Sequence, residues 1–75
     1  MWIFRSRAVR ELDTIIAELQ ANLENNYKDT ANQLRDKLGD RLEELYLEGK
    51  LNEKQYKKYR SVYTEYFVKM TGYHH

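Results

Sequence analysis

The apolar residues of this chain recur every three or four positions in three successive segments. That spacing places side chains on one face of an α-helix, whereas a strand alternates apolar and polar positions. The pattern predicts an all-α fold with helices at about 6–25, 28–48 and 53–70, followed by a flexible end at 71–75. The predicted buried positions of the first two helices are Ala8, Val9, Leu12, Ile15, Ile16, Leu19, Leu23, Ala31, Leu34, Leu38, Leu42 and Leu45.

Residues that start and stop helices mark two of the predicted boundaries. Ser6 is a good N-cap for the first helix because its hydroxyl can accept a hydrogen bond from a backbone N–H in the first turn. Gly49 suits the left-handed position that follows a helix end. Asn52 and Gln55 have the spacing of a capping box, which predicts that the last helix begins just after residue 52.

Gly39 lies within the second apolar segment and permits two interpretations. Asp40 and Glu43 could form a capping box that starts a new helix. Leu38 and Leu42, however, keep the same apolar phase on both sides of the glycine. We therefore expect a continuous helix, bent at this point.

The connection between the first two segments has a weaker signal. Asn25 and Asn26 are a modest stop with no Gly or Pro, and Leu23, Tyr27 and Ala31 keep helical spacing through it. Three separate helices with short connections predict an up-down-up three-helix bundle forming one domain over residues 1–75. The alternative is a single helix over about 6–48, giving a long helical hairpin that forms an obligate homodimer.

Tyrosines form the most distinctive pattern in the chain. Tyr56, Tyr59, Tyr63 and Tyr66 follow the 3, 4, 3 spacing of one helix face, and Tyr73 is in line if the helix continues. A row of Tyr suits a core edge that reaches water or a contact surface, since each ring is apolar and each hydroxyl needs a partner. The same arc holds Val62, Phe67 and Met70. We therefore expect it to be a buried or interfacial face, with Tyr59 and Tyr63 largely covered by protein.

Composition narrows the possible chemistry. The sequence has no Cys and no Pro, and a third of its residues are charged, as in a chain that is mostly helix. The only histidines are His74 and His75 at the extreme end, and no Ser/His/Asp arrangement or Gly-rich phosphate loop occurs. We expect no catalysis, no cofactor and no metal site. The Cys-free composition suits a reducing compartment, so we expect a cytoplasmic protein.

Two charged segments suggest competing functions. Residues 50–60 carry a formal charge of +4 next to the tyrosines, and such a combination can bind nucleic acid. That phosphate-facing patch would consist of Lys50, Lys54, Lys57, Lys58 and Arg60. Most of these cations, however, fall on the side of the helix away from the tyrosines. Residues 2–10 offer a second alternative, a membrane-peripheral contact in which Trp2, Ile3 and Phe4 precede three arginines.

The stretch from Leu45 to Tyr56, with Gly49, Lys50, Leu51 and Asn52 at its centre, resembles the helical hairpins called SHOCT domains. The resemblance covers a short part of the chain. It implies a helix–turn–helix junction and carries no function with it.

A small, non-catalytic, helical protein–protein interaction module is the leading functional hypothesis. It would act as a cytoplasmic accessory or regulatory protein, with another protein or a second copy of itself as partner. Large aromatic residues anchor interfaces, which makes the exposed members of the aromatic set the best contact candidates. These candidates are Trp2, Phe4, Tyr56, Tyr66 and Tyr73.

Overall fold

The computed structural model describes residues 6–72, and these residues form three α-helices. Helix α1 spans Arg7–Glu24, α2 spans Lys28–Leu47 and α3 spans Glu53–Thr71. The described part of the chain contains no strand. The predicted all-α class and the three predicted helices are confirmed, with boundaries within one or two residues of the predicted ones.

Both predicted N-caps are present. The Ser6 hydroxyl accepts a hydrogen bond of 3.1 Å from the backbone N–H of Val9. The Asn52 side chain accepts from the backbone N–H of Gln55 at 2.7 Å, and the Gln55 side chain accepts from the backbone N–H of Asn52 at 3.0 Å. The reciprocal pair satisfies two backbone donors that would otherwise be unpaired at the start of α3.

Helix α1 ends because Asn26 takes the left-handed conformation, with φ of 64°. The backbone N–H of Tyr27 then donates to the carbonyl of Asn22, and that of Asn26 to the carbonyl of Leu23. These two bonds form a Schellman motif, in which Asn replaces the usual Gly. The alternative of one helix over 6–48 is therefore wrong.

Helix α2 ends with the same motif, built on Gly49 with φ of 77°. The backbone N–H of Lys50 donates to the carbonyl of Leu45, and that of Gly49 to the carbonyl of Tyr46. A side chain at this φ would be strained, so the glycine that the sequence places here fixes where α2 stops.

Contacts between side chains give the directions of the helices. Glu11, early in α1, pairs with Arg41, late in α2, so these helices run antiparallel. The Glu43–Arg60 pair makes α2 and α3 antiparallel in the same way. The chain therefore follows the predicted up-down-up path.

Helices α1 and α3 lie parallel and in register. The hydrogen bonds from Tyr59 to Asp13 and from Tyr66 to Gln20 both join residues 46 positions apart. The N-caps Ser6 and Asn52 have the same separation. So do the left-handed residues Asn26 and Gly72. The two helices thus begin and end at the same level of the bundle.

The core is a single cluster to which each helix contributes one side. Leu12, Leu19, Leu38 and Leu42 are its fully buried large side chains. Burial of a leucine side chain contributes about 1.5–3 kcal/mol, so these four dominate the packing. The other buried members are Ala8, Val9, Ile15, Ala31, Leu45, Leu51 and Tyr59.

Gly39 lies inside a continuous α2, as expected, and a new helix does not begin at Asp40. A Cβ added to Gly39 would lie 2.8 Å from Cε1 of Tyr63. Such a distance is too short for two carbon atoms. The glycine therefore leaves the space in which the Tyr63 ring of α3 packs against the backbone of α2.

Candidate functional site

The tyrosine arc of α3 faces the other two helices. Tyr59 is 3% exposed, and its hydroxyl donates a hydrogen bond of 2.7 Å to a carboxylate oxygen of Asp13. The prediction that this residue is covered is confirmed. Tyr63 packs against Gly39 and the core and has intermediate exposure, so most of this residue is covered as well.

Tyr66 binds α1 one heptad after Tyr59. Its hydroxyl donates to the side-chain oxygen of Gln20 at 2.6 Å. Burial of the half-covered ring raises the pKa of Tyr66, and the nearby carboxylates of Glu24 and Glu65 raise it further. Tyr59 and Tyr66 therefore join α3 to α1 through hydroxyls that donate hydrogen bonds to α1.

Tyr56 contacts α2 near the connection between α2 and α3. Its ring stacks on Tyr46, with the ring centres 4.0 Å apart and the planes 19° apart. Its hydroxyl donates to Glu43 at 2.6 Å, and the same carboxylate oxygen accepts from Arg60 at 2.9 Å. The hydrogen bond to Glu43 is the main cause of a raised Tyr56 pKa.

Phe67 is held by a cation from α2. The Arg35 guanidinium lies 5.2 Å from the centre of the Phe67 ring, within the range of a cation–π interaction. Phe67 also lies beside Tyr63, with ring centres 6.1 Å apart. Along the α2–α3 groove, four cross-helix contacts succeed one another: Tyr46 with Tyr56, Glu43 with Arg60, Gly39 with Tyr63, and Arg35 with Phe67.

These contacts change the role of two predicted partner contacts. Tyr56 and Tyr66 direct their hydroxyls to Glu43 and Gln20 of the same chain, so each is already part of a helix–helix contact. Both remain half-buried. The other predicted contacts, Trp2, Phe4 and Tyr73, lie outside the described residues.

The cations of the candidate phosphate-facing patch are exposed, and most lie near groups of the chain itself. Arg60 pairs with Glu43 at 2.9 Å, Lys57 lies 3.6 Å from Glu53, and Lys50 lies 4.0 Å from Glu48. The Lys58 ammonium lies 5.4 Å from the centre of the Tyr59 ring. Lys54 is exposed in the first turn of α3. A bound phosphate would have to compete with these carboxylates.

Exposed apolar side chains gather on α2 and α3. Leu47 is 82% exposed, Phe67 and Val68 are each 43% exposed, and Tyr46 is 36% exposed. We call Tyr46, Leu47, Phe67 and Val68 the α2–α3 face. Tyr46 and Leu47 lie near Tyr56 at one end of it, and Phe67 and Val68 lie near Arg35 at the other. Tyr27, in the connection between α1 and α2, is also exposed. The described residues of α1 include no exposed large hydrophobic side chain.

Sequence reasoning missed Leu47 and Val68 as surface candidates. Both lie outside the apolar arc of their helix, because each points almost directly away from the buried line of Leu38 or Tyr59 at 100° per residue. Such an out-of-phase position was the available signal. An apolar residue that the helical period places on the polar face of its helix is expected to be exposed in the folded bundle.

A cleft of about 450 Å³ lies at the end of the bundle where α1 and α3 end and α2 begins. Leu23 and Met70 supply its apolar surface, and Lys28, Lys69 and Glu24 supply its charges. Neither this cleft nor any other described part of the chain brings together three potential metal ligands of the His, Cys, Asp or Glu type.

Comparisons with known proteins add no functional assignment, since no family model, no curated protein sequence and no solved structure matches this chain. Over the described residues, no helix has the length and apolar character needed to cross a membrane.

Proposed function

We propose that this protein is a small, non-catalytic helical module that binds another protein chain through the α2–α3 face. The observation that carries the proposal is that, among the described residues, four of the five exposed large hydrophobic side chains lie on these two helices. Large exposed apolar side chains gain free energy when a partner covers them and removes them from water.

The groove beneath the α2–α3 face supports such a role. The Tyr46–Tyr56 stack and the Glu43–Arg60 pair join the two helices near the second turn. The Tyr63 ring fills the space over Gly39 further along. A partner would thus meet a surface whose rings are already ordered, which reduces the side-chain entropy lost on binding.

Charged residues on the same two helices would orient a partner. Asp36, Asp40 and Glu43 lie on α2, and Lys57 and Arg60 lie on α3. Complementary charge at the rim of an interface favours the correct partner and the correct orientation. The cytoplasm is the proposed location, because a chain without Cys needs no oxidising compartment.

The experiment is an affinity capture from the native cell with three forms of the chain. Wild type is compared with the double variant Leu47→Lys, Val68→Lys and with the control Ala21→Lys, which adds a lysine at an exposed position of α1. Circular dichroism spectra establish that all three forms have the same helix content.

We expect protein partners that are captured by wild type and by the control, and lost with the face variant. Capture that is the same for all three forms would contradict the proposed surface. Recovery of nucleic acid, with affinity that falls steeply as salt is added, would replace the proposal with the nucleic-acid alternative.

A further inference from the structure

Charge is divided between the two helices of the α2–α3 face. The second half of α2, residues 39–48, carries a formal charge of −3. The connection between α2 and α3 together with the start of α3, residues 50–60, carries +4. Asp40 and Glu44 are exposed on α2, and Lys54 and Lys57 are exposed on α3. Because α2 and α3 are antiparallel, these two oppositely charged segments lie side by side at the same level of the bundle.

This arrangement is complementary to itself under one symmetry operation. A two-fold axis parallel to the helices, passing in front of the face, would place α2 of each copy on α3 of the other. The acidic segment of each copy would then meet the basic segment of the other. A two-fold axis perpendicular to the helices would instead place acid on acid and base on base.

Pairs formed within one chain engage part of this charge. Glu44 pairs with Arg41 at 2.6 Å, whereas Asp40 and Lys54 are exposed members of the two segments. Lys57 lies 3.6 Å from Glu53, with both side chains 73% exposed, and such surface pairs contribute little. Glu43 and Arg60 are half-exposed as a pair, so they too can meet a second charged surface. Leu47, the most exposed large hydrophobic side chain of the described residues, lies within the acidic segment.

We propose that the partner of the α2–α3 face is a second copy of this chain, joined by a two-fold axis parallel to the helices. The inference rests on the proposed function, since it names the occupant of the same face. In this dimer Leu47 packs on the aliphatic stems of Lys54 and Lys57 of the other copy. The α2 and α3 helices of the two copies then pack as two layers. At each of the two equivalent contacts, the acidic segment of one copy faces the basic segment of the other.

The test uses purified full chain and sedimentation equilibrium from about 1 µM to about 1 mM, the range in which weak and moderate dimers dissociate. Two charge-exchanged variants are compared with wild type. One is Asp40→Lys with Glu44→Lys, and the other is Lys54→Glu with Lys57→Glu. Thermal unfolding by circular dichroism checks that each variant keeps the fold.

Wild type should form dimers that weaken as salt rises. Each variant alone should dimerise at least about tenfold more weakly, because like charges now meet in both copies. An equimolar mixture of the two variants should recover dimers, since the exchanged charges are again opposite at both contacts. Leu47→Lys, measured alone, should also weaken the wild-type dimer by about tenfold, the loss expected on removing a buried leucine contact.

A wild-type chain that stays monomeric over the whole range would overturn the second-copy inference. So would variants that dimerise as well as wild type, or a mixture that recovers nothing. If a charge-exchanged variant does not fold, an unchanged dimer in Leu47→Lys overturns the inference by itself. These outcomes leave the affinity capture to decide the proposed function, because a monomer can still bind a different protein through the same face.

Discussion

At the scale of single residues, the tyrosines of α3 differ in what their hydroxyls reach. Tyr59 donates to the carboxylate of Asp13, whereas Tyr66 donates to the neutral amide of Gln20. Hydrogen bonds to charged groups contribute about 1.5–3 kcal/mol, against about 0.5–1.5 kcal/mol for neutral ones. The two residues therefore make similar geometric contacts of different strength.

The first prediction compares Tyr59→Phe with Tyr66→Phe. Tyr59→Phe should lower the free energy of unfolding by about 2 kcal/mol, because a half-buried carboxylate loses a donor, and Tyr66→Phe by about 1 kcal/mol. Urea unfolding followed by circular dichroism measures both. A Tyr66→Phe loss that equals or exceeds the Tyr59→Phe loss would contradict this ranking.

The second prediction concerns Gly39 and Tyr63. Gly39→Ala should improve helix propensity by about 1 kcal/mol, but in the native protein its Cβ would meet the Tyr63 ring at 2.8 Å. The substitution should therefore be at least about 1 kcal/mol more favourable in a Tyr63→Ala background than alone. A double-mutant cycle in urea measures this coupling, and additive effects would show that the ring and the glycine are independent.

The third prediction concerns alkaline pH. Burial raises the pKa of Tyr66, so the folded state holds the phenolic proton more tightly than the unfolded state does. Its contribution to stability is fully present below the ordinary tyrosine pKa of about 10 and is lost as pH rises through the raised value. Wild type should therefore lose stability relative to Tyr66→Phe only above about pH 10. A stability difference that stays constant from about pH 8 to about pH 11 would contradict the raised pKa.

At the scale of the elements, some helix boundaries can be predicted from the sequence and others cannot. The Ser6 cap, the Asn52–Gln55 box and the Gly49 turn could all be predicted, because each depends on residues within a few positions of one another. At Asn26, the sequence alone could not distinguish a turn from a helix that continues. Asn tolerates the left-handed conformation without requiring it, so only the fold decides.

The fourth prediction tests that turn. Asn26→Gly should stabilise the protein by a few tenths of a kcal/mol to about 1 kcal/mol, because Gly reaches φ of 64° without the strain that a side chain brings. Asn26→Ala should destabilise it by about 1 kcal/mol for the opposite reason. Thermal unfolding measures both. A stable Asn26→Ala variant would favour the continuous helix that the apolar spacing allows.

At the scale of the whole molecule, the bundle depends on contacts that no local pattern contains. The helical period showed which residues of α3 turn inward, but not that Tyr59 and Tyr66 reach α1 while Tyr56 and Tyr63 meet α2. Those assignments require the relative rotation and register of separate helices. The candidate site is only partly subject to this limit. The helical period already places Leu47 and Val68 outside the apolar arcs, but their positions relative to each other require the packed helices.

The tyrosine arc and the α2–α3 face share only Phe67. The tyrosines of the arc hold α3 against its two neighbours. Leu47 and Val68 are exposed, and they belong to the surface that we propose for a partner. Predicted contact residues within the arc, Tyr56 and Tyr66, would act on a partner only through their exposed edges.

The central claim is that two copies of this protein associate through the α2–α3 face. The most direct measurement is a concentration series of backbone amide NMR spectra on the purified chain, from about 10 µM to about 1 mM. We expect concentration-dependent shifts at Leu47, Phe67 and Val68, while the exposed positions Ala17 and Ala21 of α1 stay unchanged. Shifts confined to α1, or spectra identical across the series, would contradict the claim.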